Sequence, residues 1–252
     1  MLSKLATFRF YEELNDFLVP PKRKTAFPYL FNGTPSIKDA IEAIGIPHVE
    51  IDLILVNNTS VDFSYILKND DYVSVYPVFE TLNITDVTHL RNRPLRKTKF
   101  ILDVHLGKLA KYLRMLGFDT TYENNNDDNK IIQTALADHR IILTRDIGIL
   151  KVKRVTHGYW IRSQKPKEQL VEVVTHFDLY KNIDPFNRCI ECNGQLRPVK
   201  KEKILSKLKP MTIENFNTFY KCSSCKSIFW EGSHYDRMKQ FVEKIKDNSF
   251  NQ

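Results

Sequence analysis

Residues 5–11, LATFRFY, alternate apolar and polar positions with aromatic rings among them, the period of a half-buried strand. Residues 36–45, SIKDAIEAIG, put Ile37, Ala40, Ile41 and Ile44 on one face of a helix. Ser36 stands at its N-cap and Gly45 at its stop. EIDLILVN (50–57) and DYVSVYPVF (71–79) read as further strands, with turn chemistry at Asn57-Asn58. Strands, one helix and more strands predict a small α+β unit over residues 1–82. Residues 83–99 contain Pro94 and no apolar period, so they read as a basic linker. Its Arg91, Arg93, Arg96, Lys97 and Lys99 suit phosphate contacts, although a solvated connector is the plainer account of each.

From residue 100 the pattern changes to alternating strand and helix. FILD (100–103) is a strand. Leu106, Leu109, Leu113 and Leu116 then share a helix face that Gly117 closes. DTTYE (119–123) is a second strand. DNKIIQTALADH (128–139) is a helix with Ile131, Ile132, Ala135 and Leu136 as its apolar side. RIILTRD (140–146) and RVTHGYWI (154–161) are further strands, and Pro166 opens a helix over 166–177. Short, nearly all-apolar strands between helices predict an α/β domain over 100–185, its parallel sheet covered by helices. Residues 186–252 have little regular apolar pattern before a short amphipathic helix, YDRMKQFVEKI (235–245).

The chain has 252 residues, room for two modest domains, and a net charge of +8. The charge is uneven. Residues 1–88 carry 7 Lys/Arg and 12 Asp/Glu, whereas residues 89–252 carry 31 and 18. The basic part points to a polyanion such as RNA, against the plainer alternative of solubility charge. The N-terminal stretch has charges throughout and no signal-peptide core. The longest apolar runs fall far short of the ~20 residues that cross a bilayer. A cytoplasmic protein with no membrane partner is expected.

All four cysteines lie in the last segment, as Cys189-x-x-Cys192 and, after a 29-residue gap, Cys222-x-x-Cys225. Each pair offers two sulfurs to half a tetrahedron, and the gap lets a hairpin bring the halves together. Zn2+ suits four thiolates, and a closed four-sulfur site is structural. Two disulfides, a redox pair or an iron–sulfur centre are the alternatives. Trp230 and His234 follow closely, and His234 either faces a phosphate or packs on the ribbon.

Two apolar strands run into acids. Asp103 ends the first, and Asp146 comes two residues after IILT. In an open parallel sheet ligands bind beyond the carboxyl ends of the strands. Asp127 and Asp128 precede the intervening helix, so Asp128 also belongs near that edge. Three carboxylates there would repel one another without a cation, and Mg2+ or Mn2+ fits oxygen donors. Capping is the alternative for Asp128 and Asp146. Lys108, Lys111 and Arg114, at spacing three opposite the leucines, and Arg145 beside Asp146 are candidate contacts to a phosphate backbone.

FILDVHLGKLAKYLRMLGFDTTY (100–122), DDNKIIQTALADHRIILTRD (127–146), the two CxxC knuckles and FWEGSH (229–234) resemble the Mut7-C domain. That domain is a PIN-like ribonuclease domain with a zinc ribbon. FRFYEELNDFL, PSIKDAIEAIGIPHVEIDLILVN and DYVSVYPVFE resemble the ubiquitin-like, β-grasp domain found in front of it. The resemblance implies a metal-dependent ribonuclease, with Asp103, Asp128 and Asp146 as catalytic metal ligands for Mg2+ or Mn2+. Asp127 is the nearest candidate for a fourth acid. It implies a β-grasp domain over 1–82, a linker over 83–99, a PIN-like domain over 100–185 and a zinc ribbon with a terminal helix over 186–252. The β-grasp unit runs on through YPVFETLNI without the Gly-Gly end of a sulfur carrier, so it is expected to dock a protein partner. The rival functions are a non-catalytic RNA- or ribosome-binding module and a protein-interaction adaptor.

Overall fold

The structure, a computed structural model, describes residues 3–77 and 98–247. The first elements are β1 (Lys4–Phe10), β2 (Phe27–Phe31), α1 (Ile37–Ile44), β3 (Ile51–Val56), β4 (Thr59–Ser60) and β5 (Tyr72–Pro77). Then come β6 (Lys99–Leu102), α2 (Gly107–Met115), β7 (Asp119–Thr121), α3 (Asp128–Asp138), β8 (Ile141–Thr144), α4 (Ile147–Leu150), β9 (Gly158–Trp160) and α5 (Pro166–His176). The last are β10 (Leu196–Pro198), α6 (Pro210–Asn215), β11 (Phe219–Cys222), β12 (Ile228–Trp230) and α7 (Ser233–Lys246). The described residues fall into two compact units, one within Met1–Lys97 and Ile132–Trp160, the other within Thr98–Ile131 and Ile161–Gln252. Arg91, Arg93, Arg96 and Lys97 of the expected linker lie outside the described residues, and Lys99 opens β6.

In the first unit, β1 to β5 form one sheet in the order β2-β1-β5-β3-β4, with β1 and β5 parallel at its centre. This is the β-grasp arrangement. Helix α1 buries Ile37, Ala40 and Ile41 in a core shared with Phe8, Phe10, Ile54 and Val75. The Ser36 hydroxyl accepts a bond from Asp39 N at 3.1 Å, and Gly45 ends the helix at φ +127°. Asn57 and Asn58 turn the β3–β4 hairpin at φ +49° and +67°. Strand β2 has no counterpart in the sequence reading, because Pro28 interrupts its strand signal. As an edge strand it tolerates the lost N–H.

The same unit holds β8 and β9, paired in parallel with Ile142 opposite Gly158 and Thr144 opposite Trp160. A Cβ on Gly158 would lie 2.5 Å from a Leu150 methyl, so a larger residue there would displace the Leu150 side chain. The β-grasp turn at His48–Glu50 packs here. Glu50 Oε1 accepts from Trp160 N at 2.6 Å, His48 Nε2 meets the Val155 carbonyl at 2.8 Å, and the Phe17 ring lies 4.9 Å from that of Trp160.

In the second unit β6 and β7 pair in parallel. Leu109, Ala110 and Leu113 of α2 and Leu170, Val173 and Val174 of α5 are buried, and the Phe100 ring meets those of Phe118 and Phe177. The cysteine segment forms an antiparallel ribbon, β10-β11-β12. Helix α7 buries Val242 and Ile245 and sets Phe241 5.2 Å from Tyr112 of α2. No helix among the described residues is long and apolar enough to cross a membrane.

Candidate metal centre and substrate cleft

The ribbon hairpin brings all four sulfurs together, with every pair within 4.8 Å. Cys189 and Cys225 are 3.7 Å apart and Cys192 and Cys222 are 3.4 Å apart. Both distances are far beyond a disulfide bond of about 2.05 Å. A tetrahedron with Zn–S of about 2.3 Å has edges of about 3.8 Å, close to the observed spacing. The knuckles are built for it. Asn193 and Lys226, each following the second cysteine of its pair, adopt φ +69° and +66° and turn the chain back on itself. Ser224 N points at Cys222 Sγ at 3.4 Å. A Cβ on Gly194 would stand 2.7 Å from that sulfur. Burial pushes the Cys189 thiol up to about 12, whereas bonds from the Ser227 hydroxyl and amide pull Cys225 down to about 6. A buried thiol of that kind becomes a thiolate only beside a cation, which the donor set and its spacing suit.

Arg114 is where the structure departs from the sequence reading. The expected phosphate contact is only 3 % exposed. Its Nε donates to Thr120 O at 2.8 Å, and one terminal nitrogen donates to Ile190 O and Glu191 O at 3.1 and 2.8 Å. It therefore ties α2 to β7 and to the first knuckle. Burial lowers its pKa, opposed by Cys192, Cys189 and Glu191 nearby, and a guanidinium remains charged. The side of α2 opposite the leucines is thus partly covered by the ribbon. Lys111 binds the Glu191 carboxylate at 2.9 Å, and Lys108 is exposed. The knuckle is further fixed by Asn193, which accepts from Thr120 N and donates to Asp119.

Asp103 follows β6 directly, is 7 % exposed, and accepts from His105 N at 3.2 Å, capping a short 3-10 turn that runs into α2. Asp146 stands two residues beyond β8 and caps α4 by accepting from Gly148 N at 2.7 Å, as the capping alternative anticipates. Its own amide donates to Thr144 Oγ1 at 2.9 Å. The cap of α3 belongs to Asp127, which accepts from Lys130 N at 2.8 Å, and Asp128 is the first residue of the helix. Capping thus engages one oxygen of Asp127, the candidate fourth acid. Arg145 is exposed, and its carbonyl accepts from the Trp160 indole at 3.3 Å.

A cleft of about 730 Å³ opens at the start of α2, lined by His105, Lys108, Lys111, Tyr122, Asn124 and Gln164 among others. Tyr122 shapes its wall by donating to Val104 O at 2.8 Å. His105 and Tyr122 fall within the stretch 100–122 and Asn124 and Gln164 on a turn and a bend, but no spacing in the sequence marks any of them as lining a cleft.

The fold and its site define a mixed α/β protein with an N-terminal β-grasp sheet, helix-flanked parallel strands and a four-cysteine ribbon with zinc-site geometry. A family model described as Mut7-C RNAse domain matches residues 98–242, and one described as Mut7-C ubiquitin matches residues 3–83. The chain belongs to the Mut7-C family. No curated protein and no solved structure matches it.

Proposed function

We propose that the protein is a metal-dependent ribonuclease that cleaves RNA internally. Asp103, Asp128 and Asp146 are assigned as ligands of one Mg2+ or Mn2+, and the four cysteines as ligands of a structural Zn2+. The observation that carries the activity is the match of residues 98–242 to an RNAse domain. Two features support the acidic site. Asp103 and Asp146 each follow a strand that pairs in parallel, the end at which open α/β sheets bind ligands. Each also has one carboxylate oxygen fixed by a backbone amide, which holds its rotamer.

When bound, the divalent ion lowers the pKa of water and stabilises the leaving oxygen of a phosphodiester. Lys108 and Arg145, both exposed, are assigned as contacts to the phosphate backbone. Arg114 and the zinc ribbon hold the frame. Domain limits of 1–82, 83–99, 100–185 and 186–252 complete the assignment.

The test is cleavage of labelled single-stranded RNA with Mn2+ or Mg2+ by the native chain and by Asp103→Asn, Asp128→Asn and Asp146→Asn. Each substitution is expected to cost about 100-fold or more, since ligation supplies several kcal/mol of charge stabilisation. Cleavage at the native rate by all three variants would sink the assigned site. Salt-sensitive RNA binding without cleavage by the native chain would make the protein a binding module instead.

A further inference from the structure

We propose that the groove between the ribbon and α2 is a pocket for an unpaired nucleobase of the RNA substrate. The proposal rests on the ribonuclease reading for the identity of the strand and on its own residues for the site. The groove has a volume of about 840 Å³, within the range of small-ligand sites. Phe216, Phe229, Trp230 and Tyr235 line it from the ribbon side, and Tyr112 and Met115 from α2. Trp230 is 38 % exposed although it is the largest apolar side chain of the ribbon. Its ring lies 6.3 Å from Phe216 and 6.5 Å from Phe219, tilted from both, so its position is fixed while a surface stays open. Thr212, Asn215 and His234 also border the groove and offer donors and acceptors to a base edge.

Charge and continuity favour RNA as the occupant. Residues 186–247 carry 13 Lys/Arg against 7 Asp/Glu. Lys111 lines both this groove and the cleft at the start of α2, which reaches His105, two residues past Asp103. Nine helix-like residues from Asp103 to Tyr112 span about 14 Å, so a strand held near Asp103 reaches the pocket within a few nucleotides. Single-stranded RNA is held by stacking bases on aromatic side chains, with cations along the backbone. The aromatic residues provide the first, and the excess of Lys/Arg over the ribbon and α7, with Lys111 exchanging its exposed Glu191 partner for phosphate, provides the second.

The chain has two tryptophans, Trp160 and Trp230. In a Trp160→Phe background the emission reports Trp230 alone. The full chain is titrated without Mg2+ or Mn2+ with a short oligoadenylate, with its abasic counterpart of equal length, and with an amphipathic Met/Phe-rich peptide. Saturable quenching by the oligoadenylate and not by the abasic strand is the expected result. In the otherwise native chain Trp230→Ala is expected to weaken RNA affinity about tenfold or more, with Trp230→Phe restoring most of it and about one zinc per chain retained in both. Equal quenching by both strands, or quenching by the peptide alone, would overturn the pocket. So would unchanged affinity in Trp230→Ala; if cleavage still required Asp103, the catalytic assignment would stand by itself. Base-dependent quenching with no cleavage by the native chain would leave the pocket and remove the nuclease.

Discussion

Arg114 joins three backbone carbonyls that belong to two different segments, β7 and the first cysteine knuckle. Its planar fork sets donors on separate nitrogens in fixed directions, Nε toward β7 and a terminal nitrogen toward the knuckle, which a single lysine ammonium cannot reproduce. Arg114→Lys is therefore expected to destabilise the second unit by about 2–3 kcal/mol, because buried carbonyls lose their donors. Urea unfolding measures it, and the same variant should release zinc at a lower chelator concentration. Retained stability with weakened RNA binding would instead restore the phosphate role that its spacing with Lys108 and Lys111 suggests. The spacing suggests that role because a charged face of a helix reads alike whether water or a ribbon covers it. The cysteines were legible because a four-sulfur metal site demands paired ligands at that spacing. Gly194 was not, since its need arises from Cys222 and Ser224 across the hairpin. Gly194→Ala is expected to lower zinc affinity by about tenfold or more, read by competition with a chromogenic chelator.

Among the elements, the turn at His48–Glu50 carries a pH dependence. His48 faces Glu42 at 2.6 Å and the Val155 carbonyl, with Lys38 and the Lys151 side chain nearby and the Phe63 ring edge-on. Burial, with help from Lys38, pulls its pKa below the ordinary 6.5, against the opposing pull of Val155 and Glu42. The unfolded chain then takes up the proton first. The turn's contribution is full above pH 6.5, falls as the pH drops below it, and stops falling beneath the folded pKa. Thermal melts between pH 7.5 and 5 should show this slope, and His48→Gln should flatten it. Helices α1, α2 and α5 were legible from their apolar periods and from Ser36, Gly45, Gly117 and Pro166. Helices α4 and α6, of four and six residues, are too short to carry a period. The acids at Asp103 and Asp146 were legible as strand ends. The division of labour between Asp127 and Asp128 was not, because either fits an N-cap.

At the scale of the molecule, the β-grasp domain belongs to one compact unit with residues 132–160. Glu50 and Phe17 hold Trp160, and the Trp160 indole holds the carbonyl of Arg145, next to Asp146. An acidic domain expected to serve a protein partner thus also braces the loop that carries a proposed metal ligand. Glu50→Ala is expected to speed exchange of the Trp160 amide about tenfold or more, the loss of one charge-assisted bond. Hydrogen exchange read by mass spectrometry over 155–162 measures it, and unchanged protection would remove the brace.

Strand β9 ends its sheet, the position at which a second chain adds a strand most readily. The Glu50 carboxylate occupies the Trp160 amide there. A copy of the chain approaching along β9 meets a donor already satisfied and a negative charge in its place. The contact that steadies Trp160 therefore also keeps this edge closed to strand exchange between molecules.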